Sequence, residues 1–402
     1  MGLNVKVGLI GLLDMLKFKN MSKNRTKVIE SAPLKEINGD FSINRNARAL
    51  HPDHMDLVVK EVIDYPQGNA KLIKFSSEEG KALPYFRAGQ YVSLKLKIGD
   101  SFVTRPYSIC SSPKEALSGN MDITVYSNPE GFAADWICEN LKEGTKVVAS
   151  APEGNFYYEA MRDGKTVIAL AGGSGITPFL SMARAIADGI EDFNLTILYG
   201  SVTLNRALFK EELEEIAAKC SKVKLVYVLS EEEAAGHETG FITAELIKKY
   251  SQEGEYSVFI CGPRQMYGHM VKEIDKLGIA PRLVRRELLS VTKEPGGQPG
   301  YPSECAGKEY NVTVHQGPNT YNIKASADEP ILVAFERAGI KAPSRCRSGE
   351  CGWCRSKLVS GNVFCPEENE GRRYSDIAHN YIHPCASFPI SDLEVEVPGE
   401  FI

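Results

Sequence analysis

Cysteine, histidine and tryptophan are scarce in this 402-residue chain, at 10, 7 and 2 residues. That cysteine density lies far below that of a secreted disulfide scaffold. A large charge of one sign is also lacking. Lys and Arg number 47 against 52 Asp and Glu, a net charge of −5, so no strongly basic surface points to nucleic acid. No uncharged apolar run is long enough to span a bilayer. The best candidate, residues 3–18 (LNVKVGLIGLLDMLKF), is interrupted by Asp14 and followed by no small-x-small cleavage site, so it does not read as a secretory signal. What is present is ordinary: 43% hydrophobic and 25% charged residues, a globular composition in a length suited to about two to four domains.

Leu9, Leu12, Leu13 and Leu16 recur at i, i+3, i+4 and i+7, one face of a helix. The expectation is a helix docked on this protein or on a partner. The competing reading is weak attachment to a membrane surface, assisted by Lys17, Lys19 and Lys23. Residues 19–55 are polar and aperiodic, and are expected to form an extension with one short helix.

From Met55 the pattern becomes β-rich. LVVKEVIDY, AKLIKFSS, GQYVSLKLKI and MDITVYS, punctuated by Gly, Pro and Asn, suit an antiparallel barrel or sandwich. From Lys165, TVIALAG, LTILYG, KLVYVLS and YSVFICG read as buried parallel strands. Helical stretches lie between them, so the expected unit is a doubly wound α/β domain. Residues 291–307 are rich in Gly and Pro and read as a linker. A third unit follows, with strands YNVTVHQ and TYNIKAS, the helix ILVAFERAG, and a cysteine loop.

Half of the cysteines fall between Cys346 and Cys385. Cys346, Cys351 and Cys354 make C-x4-C-x2-C, and Cys385 follows after 30 intervening residues. Four thiolates suit an iron–sulfur cluster, and the x4/x2 spacing is that of plant-type [2Fe–2S] sites. Ser348, Gly349 and Gly352 let the loop wrap tightly, turning backbone N–H groups toward sulfur. The competing readings are a zinc site or buried free thiols. Zinc usually takes paired knuckles, and here the fourth cysteine stands alone. Cys365 lies outside the spacing and reads as a bystander thiol.

Two further motifs bear chemistry. Gly172-Gly173-Ser174-Gly175-Ile176-Thr177-Pro178 follows a strand and opens a helix, an arrangement that brings backbone N–H groups to a pyrophosphate. Alone it is weak evidence, since the third Gly of the Rossmann fingerprint is missing. Arg105-Pro106-Tyr107-Ser108 ends a barrel strand. Arg can pair with phosphate, Tyr can stack on an aromatic ring, and Ser can hydrogen-bond a ring nitrogen. Taken singly, these could equally be a surface Arg, a core Tyr and a turn Ser.

Taken together, FRAGQYVSL, RPYS, APEGNF, AGGSGITP and FICGP resemble, in order and spacing, the ferredoxin–NADP reductase superfamily over residues 56–290. The chain from Lys308 onward resembles plant-type ferredoxins, carried by ILVAFERAGI, SRCRSGECGWC, KLVSG and HPCASFPISDLEVEV. The resemblance implies a multidomain fold. Its parts are an N-terminal extension (1–55), an antiparallel flavin-binding β-barrel (56–160), a doubly wound nicotinamide-binding α/β domain (161–290), the linker (291–307), and an α+β β-grasp ferredoxin domain (308–402). It implies that Arg105, Pro106, Tyr107 and Ser108 bind flavin, and that Gly172, Gly173, Gly175, Thr177 and Pro178 hold the nucleotide phosphates. Cys261, Gly262 and Pro263 would wall the nicotinamide. Ser108, Cys261 and Glu287 would be the catalytic set, and Cys346, Cys351, Cys354 and Cys385 the cluster ligands.

Two departures stand out. Gly131-Phe132-Ala133-Ala134 lacks the hydroxyl of the family's Gly-x-x-Ser segment, and the chain runs on where plant reductases end in an aromatic residue. Trp353 also sits where such cluster loops often carry a small residue. The domain order resembles reductase components of oxygenases, one of which uses FMN, but RPYSICSSP looks more like the FAD-binding members. FAD is therefore expected over FMN. In SVTLNRALF, the segment after LTILYG, Arg206 is the only cation, so NADH is expected over NADPH. The implied activity passes electrons from NADH through flavin and cluster to a partner redox protein, an oxygenase or another terminal acceptor, in a reducing cytoplasm. The alternatives are a redox-sensing or cluster-binding interaction protein, and a free flavin reductase.

Overall fold

The computed structural model describes residues 9–31, 41–127, 131–251, 254–287 and 290–399. The chain divides into two units, Met1–Arg48 and Ala49–Ile402.

The first unit contains α1 (Leu9–Ser31) and most of α2 (Ser42–Leu50). The leucine periodicity does lie on a helix, but that helix continues to Ser31, well past the expected extent. No Gly or Pro interrupts residues 12–31, and Lys, Met and Arg there are good helix formers. Leu12, Leu13 and Leu16 are each more than half exposed.

The second unit begins with an antiparallel sheet. Its strands are β1 (Met55–Tyr65), β2 (Ala70–Ser77), β3 (Tyr91–Ile98), β4 (Ser101–Ser108), β5 (Asn120–Tyr126) and β6 (Lys146–Ala149), in spatial order β4-β3-β6-β1-β2-β5. Met55, Leu57 and Val59 point inward while Asp56 and Lys60 face solvent, the period of two that buries one face. A bridge between Ile109 and Ile123 brings the chain after β4 against β5 and closes the barrel. The short helices α3 (Pro113–Leu117) and α4 (Phe132–Asn140) bury Ala116, Ala133 and Ile137 in its core.

A parallel sheet follows, with β7 (Thr166–Gly172), β8 (Asn194–Ser201), β9 (Val223–Leu229), β10 (Glu238–Thr239), β11 (Tyr256–Cys261) and β12 (Val284–Glu287), in order β10-β9-β8-β7-β11-β12. Helices α5 (Thr177–Ala187), α6 (Lys210–Lys219), α7 (Ala244–Tyr250) and α8 (Arg264–Asp275) connect the strands. All seven residues of β7 are buried, as a central strand covered on both faces requires. From β7 the order runs to β8 on one side and β11 on the other. A crevice therefore opens beyond the carboxyl ends of β7 and β11. Barrel and α/β domain share one core, in which Ala88, Phe156 and Tyr158 pack with Phe179 and Phe193. Arg184 on α5 reinforces the contact, donating to the Cys110 carbonyl at 2.9 Å while its fork grips Glu212.

The third sheet contains β13 (Glu309–Gln316), β14 (Asn319–Ser326), β15 (Ser356–Ser360), β17 (Tyr381–Ile382) and β19 (Leu393–Glu396), in order β14-β13-β19-β15-β17. A side ribbon pairs β16 (Val363–Phe364) with β18 (Phe388–Pro389). Pairing of β13 with β19 is parallel, and α9 (Ile331–Arg337) packs its Ile331, Leu332 and Phe335 on the sheet, as in a β-grasp. A last short helix, α10 (Tyr374–Ala378), precedes β17. The segment read as a linker is docked on this domain. Val291 packs on its core, and Tyr301 and Cys305 are buried with Ala327.

Candidate redox site

β4 carries Arg105, Pro106, Tyr107 and Ser108 in register with Leu94, Ser93, Val92 and Tyr91 of β3. Tyr107 is half-buried against the barrel core, and burial raises its phenol pKa. The Ser108 hydroxyl crosses to the α/β domain and donates to Glu287 Oε2 at 2.8 Å. Glu287 ends β12, where it pairs in register with Cys261 at the end of β11. Strand register thus brings Ser108, Cys261 and Glu287 together from positions 108, 261 and 287.

All three sit in low-dielectric surroundings. Burial pushes the Glu287 carboxyl up to about 8, so it is mostly protonated at neutral pH. Burial, and then the proximity of Glu287, raises the Cys261 thiol well above its ordinary value. That thiol stays neutral and does not behave as an activated nucleophile. The Tyr267 hydroxyl donates to the Glu287 backbone carbonyl and fixes the strand end.

The glycine loop meets this group from the other side. Gly173–Ile176 forms a single 3₁₀ turn leading into α5, with Gly173 at φ +52°, and Thr177 Oγ1 donates to the Ser174 carbonyl at 2.7 Å. Pro178 occupies the first turn of α5. A Cβ on Gly175 would lie 2.1 Å from the Cys261 carbonyl oxygen, so only glycine permits this approach of β7 and β11. Beside them lies a cleft of about 740 Å³ lined by Gly172, Gly173, Ser174, Arg206, Pro263 and Met266 among others. Its size and glycine-walled floor fit a dinucleotide. Arg206 is its only Lys or Arg among the described residues, too little positive charge to favour a 2′-phosphate.

Arg105 faces away from that cleft. Its Nη1 donates to the Thr104 carbonyl at 2.9 Å and to Glu336 Oε1 of α9 at 3.3 Å. Among the described residues its Nε and Nη2 have no protein hydrogen-bond partner, an edge of the right chemistry to pair with an anion. At the other departure from the family pattern, Gly131 caps α4 and Phe132 is exposed.

The four cysteines converge. Cys354 and Cys385 Sγ lie 3.4 Å apart, and Cys346 Sγ lies within reach of both Cys351 and Cys385. Four thiolates are the donor set of a [2Fe–2S] cluster. Backbone N–H groups already point at sulfur. Ser348 and Cys351 donate to Cys346 Sγ at 3.5 and 3.4 Å, and Trp353 donates to Cys351 Sγ at 3.5 Å. Such bonds stabilise the added negative charge of a reduced cluster. The residues therefore fit the group. Cys365 stays apart, with the carbonyls of Pro366 and Asn369 as its neighbours. The Arg345 guanidinium stacks 3.5 Å from the half-exposed Trp353 ring.

Four residues near this site have no role assigned from sequence. Glu336 accepts from Arg105 and Arg347. Tyr91, opposite Ser108, has its phenol raised first by burial and then by the charge of nearby Cys346 and Cys351. Asn369 Nδ2 donates to the carbonyls of Ser348 and Ser290. His383, buried under the cluster loop, bonds the Gly349 carbonyl through Nδ1.

Comparison with known proteins agrees with this geometry. Residues 54–158 match the oxidoreductase FAD-binding domain, 169–272 the oxidoreductase NAD-binding domain, and 314–389 the 2Fe-2S iron-sulfur cluster binding domain. A glycine betaine monooxygenase reductase subunit of Chromohalobacter salexigens is 28% identical, over 78% of this chain and 87% of its own. A 3-ketosteroid-9-alpha-monooxygenase ferredoxin reductase component of Mycobacterium tuberculosis is 29% identical, over 86% and 96%. The solved structure of phthalate dioxygenase reductase shares the fold, with TM-score 0.61 and 22% identity over 86% of this chain and 98% of that one.

Proposed function

From the premise that the chain is an NADH-dependent oxidoreductase of the ferredoxin–NADP reductase superfamily, with FAD-binding, NAD-binding and [2Fe–2S] domains in that order, we propose that it is the reductase half of a two-protein oxygenase system. The likeness to two oxygenase reductase components supports that partner. A flavin and a [2Fe–2S] cluster held at these sites would supply two-electron hydride acceptance from NADH and one-electron delivery to the partner, with one proton released overall.

The chain's own residues prepare that transfer. Gly172, Gly173 and Gly175, with Thr177 and Pro178, admit the dinucleotide phosphates to the start of α5. Cys261, Gly262 and Pro263 wall off the nicotinamide, the neutral thiol offering a soft apolar contact. Glu287 keeps its proton at neutral pH and orients the Ser108 hydroxyl through their 2.8 Å hydrogen bond. Tyr107 supplies a ring to stack on, Pro106 holds the strand end, and Arg105 offers its unpaired edge to phosphate. Cys346, Cys351, Cys354 and Cys385 hold the cluster. The domain bounds proposed above and a reducing, cytoplasmic setting follow the same reading. None of the ten cysteines is in a disulfide, and no described helix is long and apolar enough to cross a membrane.

The observation that carries the proposal is the Ser108–Glu287 hydrogen bond that joins barrel and α/β domain. The test is anaerobic titration with NADH. Both the flavin and the cluster absorption should bleach, with about two irons per chain. A colourless or zinc-loaded protein, or flavin that NADH does not reduce, overturns it.

A further inference from the structure

Among the described residues, the ion pair of the proposed flavin-phosphate arginine is made with the ferredoxin domain. Glu336, on the inner side of α9, is 6% exposed, and its Oε1 accepts from Arg105 on barrel strand β4 and from Arg347 in the cluster loop. Arg105 and Arg347 are themselves largely buried, with side chains 22% and 12% exposed. One carboxylate therefore holds together two arginines that would otherwise repel. Burial, and then the Arg347 charge, lowers the pKa of Arg105, which registers how close the two cations lie.

The Arg347 end of this bridge reaches the cluster. Arg347 has φ +57°, a left-handed conformation that costs a non-glycine residue free energy unless its surroundings impose it. It lies directly between the ligand Cys346 and Ser348, whose N–H donates to Cys346 Sγ. The ion pair with Glu336 is the recorded contact that holds the Arg347 side chain. Through it, α9 fixes the turn that aims an N–H at a cluster sulfur. The other end reaches the flavin strand. Packing reinforces the same seam, since α9 lies on β4 and the Lys341 ammonium sits 4.4 Å above the Phe102 ring.

We propose that Glu336 is a positioning residue for internal electron transfer: by bridging Arg105 and Arg347 it docks the cluster loop against the flavin strand and couples the two sites. The inference rests on the electron-transfer reading above. Its charge logic is specific. Replacing the carboxylate with a neutral group leaves two buried cations facing each other without their counter-ion, which favours separation of the domains. Transfer between centres then slows because the mean distance grows. Reduction of the flavin by NADH does not pass through Glu336 and should persist.

The test uses the full-length holoprotein with Glu336→Gln, and Glu336→Asp as the conservative rescue. Two readouts are followed. One is limited tryptic cleavage after Arg347, whose largely buried side chain at the seam becomes accessible on undocking. The other is anaerobic single-turnover absorbance, which separates flavin reduction from cluster bleaching. Glu336→Gln should raise the cleavage rate at least about fivefold and slow cluster bleaching at least about tenfold, by the cost of an unpaired buried charge. Flavin reduction should stay within about twofold, with iron and flavin content unchanged. Glu336→Asp should recover part of both losses. Equal cleavage and bleaching in wild type and Glu336→Gln would overturn the proposal. So would parallel loss of iron and flavin in both variants, which would mark Glu336 as a folding residue only. Absence of NADH-driven flavin reduction in the wild type would instead overturn the parent reading, a separate outcome.

Discussion

Glu287→Gln converts the burial of one carboxyl into a pH-dependent stability difference. Glu287 is buried, accepts from Ser108, and has its pKa raised from the ordinary 4.5 to about 8. A folded-state pKa above the unfolded one means that the native state binds the extra proton. Stability is then complete below pH 4.5 and is lost as pH rises through 8. Each pK unit is worth about 1.4 kcal/mol, so the full loss approaches about 5 kcal/mol above pH 9 and is about 2 kcal/mol at pH 6. Glutamine keeps the shape and an acceptor but cannot ionise. Relative to wild type, Glu287→Gln should therefore gain up to about 3 kcal/mol between pH 6 and pH 9. The assay is urea unfolding of both proteins at several pH values, comparing midpoints at unchanged slope. A difference between the two that stays flat across that range refutes the reasoning, because it would mean that Glu287 ionises freely in the folded protein.

Other substitutions probe the remaining parts. Cys385→Ser should abolish the visible absorption and iron content of the cluster, whereas Cys365→Ser should leave both intact. Gly175→Ala drives a methyl into the Cys261 carbonyl; it should cost about 1–3 kcal/mol of stability and raise the KM for NADH at least about tenfold, read by urea titration and ferricyanide kinetics. With Arg206 the only arginine or lysine lining the cleft, NADPH should bind at least about tenfold more weakly than NADH in equilibrium titration. Removal of residues 1–50 should lower electron transfer to the physiological partner and leave ferricyanide reduction unchanged.

The legible parts of the molecule were those written in local sequence. The apolar strands TVIALAG and YSVFICG, the glycine turn and the C-x4-C-x2-C loop each specify their own conformation within a few residues. The contacts that join the domains have no such record. Ser108 meets Glu287 across 179 positions, a grouping expected only through the family resemblance, and Arg105 meets Glu336 across 231 with no expectation at all; neither separation leaves a periodic or compositional trace. Tyr91 lies within FRAGQYVSL, yet nothing in that segment foretells its place opposite Ser108 and near the cluster loop. Helix α1 outran its expected end because the apolar periodicity stops at Leu16 while helix propensity does not. The Gly- and Pro-rich segment 291–307 reads as a flexible spacer. Tyr301 and Cys305, two well-spaced anchors, instead bind it to the third domain.

That anchoring sets the length of the domain's leash. β12 ends at Glu287, and Val291 already packs on the ferredoxin core. The three residues between them, fully stretched, span at most about 14 Å from Glu287 to Val291. A carrier on so short a leash cannot swing out to collect or deliver charge at a distant surface. It can only rock in place. A partner protein must therefore come to the cluster site, in an encounter that also includes the flavin and nucleotide domains.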